Sequence, residues 1–388
     1  MARRLPIIDY ASAPAADVLA HTHDELARAL HVRPHELKAF RAAYHAALLG
    51  AAPPEPADLR PDVQHLVDSV HSGGYALVRS KGNRQYKLRR ELAAALRADV
   101  RPIVRRLVEG ELTKFVQRMH DGLETESVVI PMIRTGGTWR TLCVSSQVGC
   151  ARGCVFCETA QLGLLRNLTT SEIVSQVAAA QRDFAGGIRN VVFMGMGEPM
   201  DNFESVVQAV RVLTDPAGLS LAMERITIST VGRTRGIRQL AALGWRRINL
   251  AVSLNAPNDE IRSRIMPVNR LEPMDELRDA LLAYPLRNCQ FFMIEYVLIP
   301  GVNDRHEHAR ELAEYLRPLK CVVNVIPYNP RRDSPWPAPS EQSVQDFIRW
   351  IEESGHNVKR RITKGRSQMA ACGQLGNRDL ARKRGGDR

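Results

Sequence analysis

From about residue 141 onward, short apolar runs alternate with segments in which apolar residues recur every three or four positions. The short runs predict β-strands and the amphipathic segments predict α-helices. The predicted strands are Leu142–Ser145, Asn190–Met194, Arg225–Thr230, Arg247–Leu254, Phe291–Leu298 and Val322–Ile326. The predicted helices are Glu172–Phe184, Glu204–Leu213, Met274–Ala283, His306–Leu316 and Glu341–Ser354. This alternation predicts an α/β fold whose parallel sheet curves into a partial (β/α)6 barrel, with functional groups at the carboxyl ends of the strands.

The first 120 residues have a different pattern. Residues 1–52 read as an N-terminal helical region, because Asp24–Leu30 and Glu36–Phe40 carry apolar residues at helical spacing. A proline-rich linker follows, and residues 58–120 read as a basic accessory module with a strand at Tyr75–Val78 and a helix at Glu91–Leu96. We therefore expect four regions, the other two being the barrel over 121–358 and a basic C-terminal segment over 359–388.

The distribution of charge along the chain indicates a binding partner. The formal net charge is +12, and residues 79–118 and 359–388 each carry a net +8, so the rest of the chain is slightly acidic. Two basic segments that flank a near-neutral body favour binding to a polyanion, most simply nucleic acid; the alternative is a solvated helix face and a basic tail. No apolar run reaches the roughly 18–20 residues of a membrane-spanning helix. With an odd count of seven cysteines and no export signal at the start, we expect a cytoplasmic protein without a disulfide framework.

Three of the cysteines form a C-x3-C-x2-C loop, Cys150, Cys154 and Cys157. Thiolates are ligands for zinc or iron–sulfur clusters, and a structural zinc site or a ferredoxin cluster takes four protein ligands. Three thiolates in one loop favour a 4Fe–4S cluster with one open iron, with a zinc or redox cluster as the alternative. Together with the strand–helix alternation, this loop resembles that of the radical S-adenosylmethionine superfamily, in which the open iron chelates S-adenosylmethionine and the reduced cluster cleaves it to a 5′-deoxyadenosyl radical.

Longer motifs narrow the resemblance. The segments Thr141–Cys150 (TLCVSSQVGC), Phe193–Pro199 (FMGMGEP), Ile326–Pro330 (IPYNP) and Ala371–Leu375 (ACGQL) are similar to those of the RNA adenine methyltransferase family. That family includes the enzyme that methylates C-2 of a 23S rRNA adenosine and the resistance enzyme that methylates C-8 of the same base. The resemblance extends from about residue 111 to 376.

The resemblance implies three catalytic residues. Cys372 matches the cysteine that carries a methyl group, and Cys143 the cysteine that later attacks the thioether, releases the product from a protein–RNA crosslink and forms a disulfide. Glu126 matches the acid/base glutamate. Taken alone, Cys143 is an apolar-strand cysteine and Glu126 an ordinary strand residue; Cys289 and Cys321 match no motif and are interpreted as structural.

The same resemblance implies a binding site for S-adenosylmethionine, of which two molecules are used per turnover. Its residues are Gly197, Glu198, Ser229, Ser253, Leu254, Asn255 and Asn329. They lie at or just past predicted strand ends, where barrel enzymes place ligand-binding groups. Two positions depart from the family pattern, since Asn255 stands where histidine is common and Glu158 where a small residue is common.

The sequence thus predicts a radical S-adenosylmethionine RNA methyltransferase acting on adenosine in rRNA, with tRNA as a second substrate. An electron donor such as flavodoxin or ferredoxin and a monomeric state complete the expectation. The alternatives are a radical enzyme with another substrate and a non-catalytic iron–sulfur protein that binds RNA or carries electrons. Cys143 and Cys372 separate these classes, because an adaptor or carrier needs neither.

Overall fold

A computed structural model describes residues 16–50, 96–134, 137–184, 187–331, 333–361 and 373–376. The predicted strand Tyr75–Val78 lies outside these residues, as does most of the predicted helix Glu91–Leu96. Leu96 itself lies in a two-residue strand, because it pairs in parallel with Ala16. The basic residues of 79–95 and 377–388 are likewise outside the described part.

The N-terminal elements are two short strands, β1 (Ala16–Asp17) and β2 (Leu96–Arg97), and two helices, α1 (His23–Ala29) and α2 (Leu37–Leu49). Helix α1 begins with a capping box, in which Thr22 and Glu25 satisfy each other's backbone N–H groups. Helix α2 ends at Gly50 in the left-handed conformation. These helices confirm the helical reading of this region.

One large sheet dominates the rest of the chain. Its parallel strands are β6 (Gly137–Cys143), β9 (Asn190–Phe193), β10 (Ile226–Thr230), β11 (Asn249–Ser253), β12 (Phe292–Leu298), β13 (Cys321–Pro327) and β14 (Val358–Arg360). The six predicted strands all correspond to strands of this sheet, in sequence order from β6 to β13. The predicted α/β class with a parallel sheet is therefore confirmed.

Three further strands extend the sheet beyond β6. They are β3 (Ile103–Glu109), β4 (Leu112–Arg118) and β5 (Glu124–Arg134), all antiparallel to their neighbours. A separate hairpin pairs β7 (Gln147–Gly149) with β8 (Leu164–Asn167) around the cysteine loop. The basic residues of 103–118 thus belong to sheet strands.

The helices follow the strands as the apolar periodicity predicts. They are α3 (Thr170–Asp183), α4 (Phe203–Thr214), α5 (Thr234–Ala242), α6 (Asp259–Ile265), α7 (Met274–Leu282), α8 (His306–Leu316) and α9 (Glu341–Glu353). Five were predicted, while α5 and α6 were not. In the described part of the chain, no helix has the length and apolar character needed to cross a bilayer.

The chain divides into two compact units. The first contains the described residues of 1–100, 170–185 and 208–221, and the second those of 101–169, 186–207 and 222–388. In the first, Tyr44 donates to the carbonyl of His21 (2.8 Å) and Gln208 to the carboxylate of Glu25 (2.7 Å). The second holds the whole large sheet. The division of the chain into four regions, 1–52, 58–120, 121–358 and 359–388, remains a prediction.

Candidate active site

A cavity lies at the carboxyl ends of the parallel strands. Successive strands contribute lining residues, with Ser229 from β10, Ser253 from β11, Val297 from β12 and Asn329 just past β13. This is the edge of the sheet at which the alternating pattern predicts functional groups.

The cysteine loop forms one wall of this cavity. Cys150, Cys154 and Cys157 all line it, although they lie on a loop between β7 and β8 rather than on the sheet. The entry to the loop is constrained at Gly149, which has φ of +79° and whose added Cβ would lie 1.8 Å from the carbonyl oxygen of Gly163. Only glycine fits such a close backbone approach.

The three thiols are close enough to interact, with Cys154 buried and with Cys150 and Cys157 half-buried. Burial raises the pKa of the Cys150 thiol to about 12 and that of the Cys154 thiol well above its usual range, and Coulomb repulsion from Cys157 adds to both shifts. The Arg262 guanidinium acts in the opposite sense on Cys154. Three thiolates that are largely shielded from water and repel one another are stabilised by a cation, so the donor set fits a cationic cluster. Within the described residues, no three His, Cys, Asp or Glu side chains are arranged to share a single metal ion.

Gly197 and Glu198 line the same cavity as the cysteines. Gly197 has φ of +98°, and a Cβ there would lie 2.5 Å from the Gln147 Cβ. Gln147 Oε1 accepts a hydrogen bond from the backbone N–H of Glu198 (2.9 Å), which fixes the turn. The Glu198 carboxylate accepts from the backbone N–H groups of Met200 (3.0 Å) and Val231 (2.8 Å). Burial nevertheless raises the pKa of Glu198 to about 7, so the carboxylate would be favoured further by a positively charged ligand group.

The other predicted cofactor residues divide into two groups. Ser229, Ser253, Asn255 and Asn329 line the cavity, whereas Leu254 is buried in the core and its side chain does not line it. Asn255 has φ of +59°, a left-handed conformation that asparagine tolerates well. Its Oδ1 accepts from the backbone N–H of Val297 (2.9 Å) and its Nδ2 donates to the sulfur of Met266 (3.2 Å). Asn255 stands where the family commonly has histidine, and here its side chain fixes the backbone next to the cavity.

Glu126 and Cys143 lie on neighbouring antiparallel strands, β5 and β6. Glu126 is buried, and its Oε2 lies 3.4 Å from the Lys114 ammonium, which is itself buried. Ser145 donates to the Glu126 carbonyl (2.7 Å). Cys143 is buried in an apolar cluster with residues that include Val128, its register partner on β5.

A C-terminal segment, Gly373–Gly376, is placed against both of these strands. The backbone N–H of Gly376 donates to Oε2 of Glu126 (3.0 Å), and Leu375 belongs to the same apolar cluster as Cys143. Gly373 and Leu375 line the cavity. The structure thus brings residues 126, 143 and 373–376 together from positions 250 apart in sequence.

The same segment is bound to the cysteine loop. Gly373 accepts from the backbone N–H of Glu158 (2.7 Å), and the Thr159 hydroxyl donates to the Leu375 carbonyl (2.6 Å). Glu158, the second departure from the family pattern, is fully buried beneath this contact. Cys372 lies outside the described residues, so its predicted role and the predicted disulfide with Cys143 remain predictions; no two described cysteines are joined by a disulfide.

Three further residues at the site were missed by the sequence analysis. Glu295 lines the cavity from the middle of β12, Arg361 lines it from just past β14, and Arg262 is fully buried behind the strand ends. The Arg262 guanidinium donates to the carbonyls of Leu254 and Val231 and thereby ties the ends of β11 and β10 together. Cys289 is exposed and Cys321 is half-buried, and neither lines the cavity.

Comparisons with known proteins agree with this geometry. The sequence model of the Radical SAM superfamily matches residues 144–313. The chain is 46% identical over 263 residues to a dual-specificity RNA methyltransferase RlmN of Syntrophotalea carbinolica, covering 68% of this chain and 69% of that protein. It is 45% identical over 267 residues to the RlmN enzyme of Geotalea uraniireducens, covering 68% of this chain and 75% of that protein.

The fold agrees as well. The crystal structure of a radical SAM methyltransferase from Sphaerobacter thermophilus superposes with a TM-score of 0.76 at 36% sequence identity, covering 93% of this chain and 99% of that one. The shared fold, the cysteine loop and the identity along most of the relatives' length place this chain in the family of radical S-adenosylmethionine RNA methyltransferases, enzymes that use a 4Fe–4S cluster and S-adenosylmethionine.

Proposed function

We propose that this enzyme methylates an amidine carbon, C-2 or C-8, of an adenosine in large-subunit rRNA, with tRNA as a second substrate. The relatives carry the name dual-specificity RNA methyltransferase, which supports two substrates. An adenosine in an RNA loop is suitable because its unstacked base can be extruded into a protein pocket. An amidine carbon is electrophilic, so ordinary methyl transfer to it is unfavourable and a radical route is required.

The observation that carries the proposal is the position of Gly373–Gly376. Directly after Cys372 in the chain, this segment contacts Glu126 through Gly376 and the cluster around Cys143 through Leu375. Two of the three proposed catalytic residues are therefore next to the segment that follows the third. A protein that only bound RNA would have no need of this convergence.

Each residue has a distinct task in the proposed reaction. Cys150, Cys154 and Cys157 would hold the cluster, which with S-adenosylmethionine supplies a 5′-deoxyadenosyl radical. Cys372 would carry the methyl group donated by a first S-adenosylmethionine. The radical from a second molecule would remove a hydrogen atom from this methyl group, and the resulting carbon radical would bond to the base.

The remaining catalytic residues complete the transfer. Glu126 accepts the proton that leaves the modified carbon, and its contact with the Lys114 ammonium holds the carboxylate in place. One electron would leave the adduct with this proton and return to the cluster. The Cys143 thiol attacks the sulfur of Cys372, and the bond between that sulfur and the CH2 group on the base breaks. The CH2 group takes up a proton to become the methyl group, and a disulfide remains. The burial of Cys143 in an apolar cluster keeps it away from bulk solvent.

The proposed site for S-adenosylmethionine consists of Gly197, Glu198, Ser229, Ser253, Leu254, Asn255 and Asn329. Glu198 is the partner for the amino group of the cofactor, since its carboxylate is fixed by two backbone donors and its burial strengthens any ion pair. The backbone of Leu254 and the side chain of Asn255 contribute by fixing the end of β11.

Exposed arginines support RNA binding by the sheet extension. Strand β3 is at the edge of the large sheet, and Arg105 and Arg106 are exposed on it. Arginine contacts phosphate without reading sequence, so this strand and the two basic segments would hold the RNA backbone. We further propose a flavodoxin or ferredoxin as electron donor, a monomeric enzyme and a cytoplasmic location.

Mass spectrometry of the peptide that contains Cys372 tests this function. The enzyme is purified anaerobically and incubated with S-adenosylmethionine that carries a deuterated methyl group. The proposal predicts a labelled S-methyl group on Cys372 and a labelled methyl group on adenosine after RNA is added. Label on RNA without label on Cys372, or on neither, would contradict it; a Cys289→Ala variant serves as control because that exposed cysteine has no assigned role.

A further inference from the structure

Glu295 has a buried carboxylate oxygen without a protein partner. Its side chain belongs to the middle of β12, is 4% exposed and lines the cavity. Oε2 accepts a hydrogen bond from Nδ2 of Asn324 on the neighbouring strand (2.7 Å). Oε1 is inaccessible to solvent and, among the described residues, has no hydrogen-bond partner.

Burying such an oxygen destabilises the folded protein unless a hydrogen-bond donor reaches it. A buried acceptor that lacks a donor loses its hydration without compensation, and a carboxylate loses more than a neutral group. Arg361 is close enough to oppose the rise in the Glu295 pKa that burial causes, yet it makes no hydrogen bond to Oε1. A bound molecule that donates a hydrogen bond to Oε1 would complete this carboxylate.

The strand order indicates which part of a ligand lies there. Along the cavity edge the lining groups follow the order Glu198, Ser229, Ser253, Glu295 and Asn329, from β9 to β13. Ser253 is the register partner of Glu295, so both face the same part of the cavity. A nucleoside ligand that extends along this edge from an amino group at Glu198 would bring its ribose close to Ser253 and Glu295.

We propose that Oε1 of Glu295 accepts a hydrogen bond from a ribose hydroxyl of the adenosine group bound in this cavity. The inference rests on the proposed function. S-adenosylmethionine and the target adenosine both carry such a hydroxyl, and the position beside Ser253 favours S-adenosylmethionine. Glu295 is then a ligand-binding residue that the family motifs did not reveal.

Binding measurements on a Glu295→Gln variant test the proposal. Because Asn324 Nδ2 must still find an acceptor, the new amide turns its oxygen toward Asn324 and its NH2 group toward the cavity, so a donor replaces the acceptor. The full-length enzyme with its cluster reconstituted anaerobically is titrated calorimetrically with S-adenosylmethionine. A hydrogen bond to a charged group corresponds to roughly a 10- to 100-fold loss of affinity.

Matched variants separate this effect from general damage. Glu224→Gln makes the same chemical change at an exposed glutamate outside the cavity and should bind S-adenosylmethionine like the parent. Glu295→Asp keeps the charge but withdraws the oxygen from the ligand, so it should also bind more weakly. Circular dichroism spectra of all variants should match that of the parent.

Ligand variants identify the source of the hydroxyl. If the cofactor is the source, S-adenosylmethionine lacking the relevant ribose hydroxyl binds the parent weakly, and Glu295→Gln adds no further loss. If the target adenosine is the source, only RNA affinity falls, and an RNA with 2′-deoxyadenosine at the target reproduces the loss. Parent affinity of Glu295→Gln for both ligands would overturn the inference alone, whereas a parent enzyme that binds no S-adenosylmethionine would overturn the proposed function with it.

Discussion

The close approach of Gly197 to Gln147 gives a quantitative prediction for cofactor binding. In a Gly197→Ala variant, the new Cβ would meet Cβ of Gln147 at 2.5 Å and its backbone nitrogen at 2.8 Å. The left-handed backbone adds about 1–2 kcal/mol for a residue other than glycine, and an overpacked contact about 1–3 kcal/mol. The expected cost is therefore about 2–5 kcal/mol.

This strain is located in the turn that positions Glu198. The new methyl group displaces Gln147, whose Oε1 holds the backbone N–H of Glu198, so the carboxylate moves away from its position. We expect Gly197→Ala to weaken S-adenosylmethionine binding by at least about tenfold, which corresponds to roughly 1.4 kcal/mol of the total strain. Calorimetric titration of the reconstituted enzyme measures this change.

Gly355 provides a matched control for the strain of placing alanine in a left-handed backbone conformation. It has φ of +88°, and a Cβ there would have no heavy atom within 4 Å. Gly355→Ala should lower stability by about 1 kcal/mol through its left-handed backbone and leave cofactor affinity unchanged. Parent affinity in Gly197→Ala, or an equal loss in both variants, would refute the role assigned to the close approach.

Three further predictions address the acid/base residue, the strand ends and the RNA surface. Glu126→Gln should fold normally but slow RNA methylation by at least about 100-fold, because an amide cannot accept the proton; a parent rate of methyl incorporation would contradict this. Arg262→Met should lower the free energy of unfolding in urea by about 3 kcal/mol or more, because it leaves buried carbonyls of Val231 and Leu254 without donors, while Arg317→Met on an exposed side chain should change it little. RNA affinity should fall steeply with salt, with a log–log slope of about −0.7 per single-strand phosphate contacted, and a slope near zero would exclude the basic segments as the binding surface.

The parallel α/β sheet was predictable because each strand and helix has its own local pattern. Five of the six strands and all five helices were predicted within two residues of their observed ends, since buried parallel strands form continuous apolar runs. The first strand, predicted at Leu142–Ser145, begins five residues earlier, at Gly137. Helix α5 was missed because a distant glutamate holds its start, with Glu272 accepting from the backbone N–H of Thr234 (3.0 Å). Strand β3 was missed because paired arginines interrupt its apolar alternation.

The candidate site was predictable where motifs contain the chemistry. The cysteine loop and the residues past the strand ends could be read from local sequence, and most of them line one cavity. Glu295 and Arg262 could not, because their significance comes from an oxygen without a donor and from carbonyls on distant strands. The role of Leu375 likewise depends on packing beside Cys143, which no local pattern reveals.

The most direct test of the central claim uses a Cys143→Ala variant, reconstituted anaerobically and incubated with S-adenosylmethionine, a reductant and RNA. Because this variant cannot attack the thioether, a covalent protein–RNA crosslink should accumulate, and mass spectrometry should locate it at Cys372 and at one adenosine carbon. Cys289→Ala, which alters an exposed cysteine, should turn over without a crosslink. Full methylation by Cys143→Ala, or bound RNA that is neither crosslinked nor methylated, would contradict the methylcysteine mechanism.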